Sequence, residues 1–111
     1  MLTSPVLKLQ YAMASAAAGS VVLAAEVMAV TPDSDAQDID ADSYDTANST
    51  TDAAPGTAGH LGEAAITLTN ADSLTAGDLV KLRLSRDADN ASDTATGDLE
   101  LLAASLEYTR S

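Results

Sequence analysis

Asp87, Asp89, Asp93 and Asp98 fall at positions one, three, seven and twelve of a loop spacing that suits a calcium ion. Hard oxygen ligands in a tight loop are what Ca²⁺ takes up. Three details oppose that reading. Position five is Ala91, position six is Ser92 where a sharp turn needs Gly, and position twelve is Asp98 where a longer, bidentate Glu belongs. The plainer expectation is a solvated loop whose aspartates form Asx turns or pair with Arg83 and Arg86, with no metal assigned.

Catalytic chemistry has even less to work with. The single histidine, His60, lies between Gly59 and Leu61 in a turn-like stretch, and the sequence has no Gly-x-Ser-x-Gly element. A hydrolytic triad needs a nucleophile, an activating base and a third group that orients the base. Serines and aspartates are so common here that one histidine near them carries little information. Paired carboxylates for glycoside hydrolysis are expected somewhere among 17 acids, but they sit in turn-like segments where water screens them. No catalytic residue and no cofactor site is assigned, and the chain is expected not to be an enzyme.

Composition narrows the partners. The chain has 111 residues, enough for a single domain, and 17 acids against 5 bases give a formal charge of −12. Nucleic-acid binding by phosphate neutralisation needs a basic footprint and is excluded on that ground. Anionic membranes are disfavoured for the same reason, whereas docking on a basic protein surface is permitted, the plainer reading of the acidic Asp33–Asp52 run being a solvated loop. With no cysteine, disulfides and thiolate chemistry are excluded. Apolar residues reach 46%, but much of that is alanine, and the aromatics are three tyrosines with no Phe or Trp. A core of this kind is thin, so a marginal monomer that gains stability by assembling with copies or a partner is expected.

These residues need elements to hold them. Leu7, Leu9, Tyr11 and Met13 alternate with Lys8 and Gln10, which predicts a half-buried strand over Val6–Met13. Tyr11–Val30 is apolar enough to suggest a membrane span, but Glu26, the Gly19-Ser20 break and the weak hydrophobicity of Ala oppose it. A signal-peptide reading, with an Ala-x-Ala site around Met13–Ala17, has only Lys8 for its basic start. Val21–Val30 reads instead as a buried central strand, stopped by Thr31-Pro32-Asp33. Residues 33–60 form an acidic loop region that should hide short strands, placed at Ala36–Asp40 and Ser43–Ala47. Gly62–Thr69 alternates with Ala64, Ile66 and Leu68 inward. Leu79–Arg86 does so with Val80, Leu82 and Leu84 inward and Lys81, Arg83 and Ser85 outward. The last element, Leu99–Thr109, fits either a helix through Leu99, Leu102, Ala103 and Leu106 or a strand through Leu102, Ala104, Leu106 and Tyr108, and strand is preferred. Short strands with frequent turns predict an all-β antiparallel sandwich or jelly roll in one domain, 1–111, with an N-terminal strand or arm at 1–13.

The run Ala76-Gly-Asp-Leu-Val-Lys-Leu-Arg-Leu-Ser-Arg-Asp-Ala-Asp-Asn-Ala-Ser-Asp-Thr-Ala-Thr-Gly-Asp98, followed by Leu106-Glu-Tyr108, resembles a recurring segment of a small β-sandwich module in structural proteins of tailed bacteriophages. Glu26-Val-Met-Ala-Val-Thr-Pro32, Asp38-Ile-Asp-Ala-Asp-Ser-Tyr-Asp45 and Pro55-Gly-Thr-Ala-Gly59 are similar to other parts of that module. The family often has an aromatic in its second strand, and Val21-Val-Leu-Ala-Ala25 has none. The resemblance implies a virion structural protein and brings no catalytic residues. With no coiled-coil stalk or collagen-like repeat in the sequence, the expected role is capsid decoration, as a cement protein on the outer capsid surface. There it would form a homotrimer, assembled in the host cytoplasm, that clamps neighbouring major capsid proteins. The competing role is a tail or head-fibre module that recognises a host glycan or protein. The apolar N-terminal strand, Leu2 to Met13, is the expected subunit or capsid contact, as a free arm that adds to a neighbour's sheet.

Overall fold

The computed structural model describes residues 2–15, 18–33, 39–40 and 43–110. Six strands account for the order: β1 (Leu2–Met13), β2 (Ser20–Val30), β3 (Asn48–Ala53), β4 (Gly62–Thr67), β5 (Leu79–Arg86) and β6 (Leu99–Arg110). They form two antiparallel three-stranded sheets, in the orders β4-β1-β6 and β3-β2-β5. Among the described residues there is no helix. The molecule is an all-β sandwich, and three strands per sheet fall short of a jelly roll's complement.

The two longest apolar runs hold the central places. β1 lies between β4 and β6, and β2 between β3 and β5. Leu7, Leu9, Tyr11 and Met13 of β1 meet Val21, Leu23, Ala25 and Val27 of β2 across the core, with Ala64, Ile66 and Leu68 from β4 and just beyond it. From Val6 to Tyr11, β1 has a partner strand on each side. The expected free arm therefore gives way to a core strand: its apolar face is spent on its own sandwich, and its hydrogen bonds on its own sheet. The apolar run that could suggest a membrane span is likewise divided between β1 and β2. No helix among the described residues is long and apolar enough to cross a membrane.

Two glycines make room for this packing. Gly62 stands opposite Tyr11, and a Cβ there would come within 2.9 Å of the Tyr11 ring. Gly19, at φ +115°, takes the chain from one sheet to the other where a Cβ would meet Thr94 Oγ1 at 2.6 Å.

Among its described residues the 33–60 region holds a strand, β3, that hydrophobicity does not reveal. Asn-Ser-Thr-Thr-Asp-Ala is polar because its outer positions face water, while its backbone pairs with Ser20–Ala25 of β2. The strand expected at Ser43–Ala47 is absent: that stretch is extended connection, and pairing starts at Asn48. The strand expected at Ala36–Asp40 lies mostly outside the described residues, and Ile39 and Asp40 sit in a turn.

The sandwich is closed on one side only. β3 and β4 approach each other across the sheets, whereas a cavity opens between β5 and β6 beside Leu84, Leu99 and Leu101. The outline is slender, 48 × 28 × 21 Å, with a radius of gyration of 15.3 Å against about 13 Å for a compact domain of this length.

Candidate interaction surface

The Asp87–Asp98 loop is organised by Arg86. Its guanidinium holds Asp93 through two bonds, Nε to Oδ2 at 2.9 Å and Nη2 to Oδ1 at 2.7 Å, and also donates to the carbonyls of Ala95 and Gly97 at 2.6 and 2.7 Å. Asp93 Oδ2 further accepts the Val22 amide at 2.9 Å. Arg86 and that amide together hold the Asp93 carboxyl below the usual carboxylate range, against the opposing effect of burial. The loop then runs beside the start of β2, where the Thr94 and Ala95 amides both donate to the Ser20 carbonyl.

This geometry answers the calcium spacing. Asp93 is already bound by a cation, and Asp87 Oδ2 accepts from the Asn90 side chain at 3.4 Å. Among the described residues no cluster of three acidic, histidine or cysteine side chains is arranged to hold a metal. Arg86 pairs with a loop aspartate as expected. Arg83 does not: it pairs across the sheet with Glu26, at 2.8–3.0 Å, because the β2–β5 register sets them opposite each other. That bond draws the Glu26 carboxyl below its ordinary range.

Other aspartates also serve the fold. Asp52 accepts the buried Tyr11 hydroxyl at 2.5 Å, tying β3 to β1 across the sandwich. Asp72 accepts the Ala29 amide, and Asp45 accepts the Asp72 amide. Asp78 accepts the Thr31 hydroxyl and then the Thr75 amide, which lower its pKa. Buried Asn48 bonds to the Asn70 amide and carbonyl, each at 2.9 Å, anchoring the turn after β4. The sequence marks these residues as acidic or polar but does not reveal their partners, most of which lie 22 to 47 positions away. His60 is exposed in a turn, and its amide donates to the Thr57 carbonyl.

Every cation with a described side chain has an internal partner. Lys8 faces Glu107 at 3.4 Å, Lys81 donates to the Ile39 carbonyl at 2.8 Å, and Arg83 and Arg86 are bound as above. Lys81 and Arg83 also flank the Tyr44 ring, at 5.6 and 4.5 Å from its centre, fixing part of the β2–β3 connection to the outer face of β5.

The open side between β5 and β6 is different in character. A cavity of about 750 Å³ lies there, bounded by Leu9, Leu23, Leu84, Ala95, Leu99 and Leu101. A separate, smaller one of about 280 Å³ lies near Val80, Leu106 and Tyr108, with Thr75 and Asp78 also in its wall. Leu101 and Tyr108 of β6, which line these cavities, are 48% and 49% exposed. The described geometry defines an acidic β-sandwich with one apolar, unclosed side. No family model matches the chain, no curated protein matches it, and no solved structure matches it.

Proposed function

We propose that this chain is a non-enzymatic structural protein of a phage virion, a capsid decoration protein that binds the major capsid protein on the outer surface and acts as a homotrimer. The observation that carries the reading is the apolar side between β5 and β6 on an otherwise acidic sandwich. An exposed apolar stretch framed by charge is the mark of an association surface. The resemblance of 76–98 and 106–108 to phage structural modules supplies the virion. Mechanically, each copy would bury surface between neighbouring capsomers and so resist the pressure of packaged DNA. The slender 48 Å outline is the observation favouring a second role, a tail or head-fibre module that recognises a host glycan or protein.

The test is binding of the purified protein to expanded capsids that lack it, followed by cryo-EM. Ordered density at threefold capsid positions is expected. Density on the tail or fibres instead would favour the second role, and no virion binding at all would overturn both.

A further inference from the structure

We propose that β6 accepts an added β-strand, supplied by an extended, basic segment of a partner protein with alternating apolar residues that fill the β5–β6 gap. The inference rests on the reading of this chain as an association module, and names the chemistry of what it takes up.

The backbone gives the first reason. Among the described residues β6 pairs with β1 alone, so the other edge of a 12-residue strand has no partner among them. Natural edge strands are usually short, or guarded by Lys or Pro. β6 is long and has neither; its guards are Glu100, Glu107 and one bulge at Leu102, and the carboxylates among them repel acidic strands and not basic ones. The gap gives the second. Leu99, Leu101, Ala104 and Leu106 sit opposite the core residues Met13, Tyr11, Leu9 and Leu7 of β1, so they point toward the interior. Leu101 is nonetheless 48% exposed, because among the described residues no strand lies beyond β6. A strand added at the usual spacing extends the β4-β1-β6 sheet over that gap, and every second side chain of it enters the apolar cavity.

Charge selects the occupant. Asp87, Asp89, Asp98 and Glu100 lie on or beside this side of the molecule and are all exposed. The nearby cations Lys8 and Arg86 are already paired with Glu107 and Asp93. A second copy would bring another chain of charge −12 to the same edge, whereas a basic segment is attracted to it. The β5 edge is the poorer acceptor, because it has eight residues against the twelve of β6.

The probe is a synthetic peptide of about ten residues alternating valine and lysine, the length of an ordinary long strand, beside one alternating valine and glutamate. Binding to the full chain is followed by fluorescence anisotropy, and backbone amide exchange by NMR. The lysine peptide should bind saturably, slow exchange along 99–108, and weaken as salt screens the contact. The glutamate peptide should bind at least about tenfold more weakly. Leu101→Lys should weaken the lysine peptide about tenfold, while Leu61→Lys, the same charge change on the far side of β1, should leave it unaltered. Equal binding of both peptides, binding of neither, or protection of β6 by self-association without peptide would each overturn the proposal. A chain that takes up the peptide but not capsids overturns the virion reading alone. One that binds capsids with β6 amides still exchanging freely overturns strand addition alone.

Discussion

At the scale of single residues, the aspartates of this chain divide between surface charge and internal fasteners. Asp93 is the clearest fastener, with 2% of its side chain exposed and Arg86 across it. Removing the arginine strands a buried carboxylate. Because the loop lies at the surface and solvent is close, the expected cost of Arg86→Ala is about 2 kcal/mol, read as a drop in the urea midpoint, with faster amide exchange confined to 87–98. Acidification acts on the same bonds. The folded-state pKa values of Asp93 and Asp78 are lowered by their partners. The stability they contribute is therefore complete above the unfolded aspartate value of about 3.9 and is lost as pH falls below it. Asp93→Asn should flatten the decline in urea midpoint between about pH 4 and pH 2. Tyr11 works in the opposite range. Burial, and then the bond to Asp52, push its hydroxyl well above the ordinary tyrosine value. Its contribution is complete below about pH 10 and is lost as pH rises past that point. Tyr11→Phe should cost about 1–2 kcal/mol at neutral pH and remove much of the alkaline decline, measured by urea midpoint against pH.

At the scale of elements, a strand's place in the sheet decides what its pattern is worth. β5 has the cleanest alternation in the sequence, yet Val80, Leu82 and Leu84 are only partly buried, because β5 is an edge facing the open side. Ile66 in β4 is wholly buried on the closed side. Ile66→Ala should therefore cost about 3 kcal/mol and Leu84→Ala closer to about 1 kcal/mol, compared by urea denaturation. Equal losses would mean the sandwich is closed on both sides. β6 shows why its sequence fits two periods. The pairing passes from Gln10 opposite Ala103 to Tyr11 opposite Leu101, so Leu102 is an extra residue in a bulge. Before the bulge the inward residues are Leu99 and Leu101; after it they are Ala104 and Leu106. That change of phase places apolar residues three apart, as a helix would. Near the start of β1, the other shift sets Ser4-Pro5 against Tyr108, which puts a residue without an N–H at an irregularity where none is needed.

At the scale of the whole molecule, a slender sandwich with alanines in its core and one open side should gain from company. If the chain is the proposed trimer, its melting temperature should rise with protein concentration, since mass action favours the assembled form. Sedimentation velocity should then give three times the mass of the 11.2 kDa chain. A concentration-independent melt at monomer mass would remove the trimer and leave stabilisation to a different partner.

The sequence by itself determined the class of fold and the strands that carry its core. Leu7, Leu9, Tyr11 and Met13, then Val21–Val30, then Ala64, Ile66 and Leu68 alternate or run apolar strongly enough to fix their faces, because side-chain direction in a strand has a period of two. It also determined the acidity. Three things were settled only in three dimensions. Polar β3 is a strand because β2 offers it backbone partners, and hydrogen bonding along a backbone leaves no mark on side-chain hydrophobicity. The N-terminal segment is a core strand and not an arm because β4 and β6, distant in sequence, close on both its edges. The exposure of Leu101 and the gap beside it depend on β5 and β6 standing apart, a separation set by how two sheets meet and not by either strand's own residues.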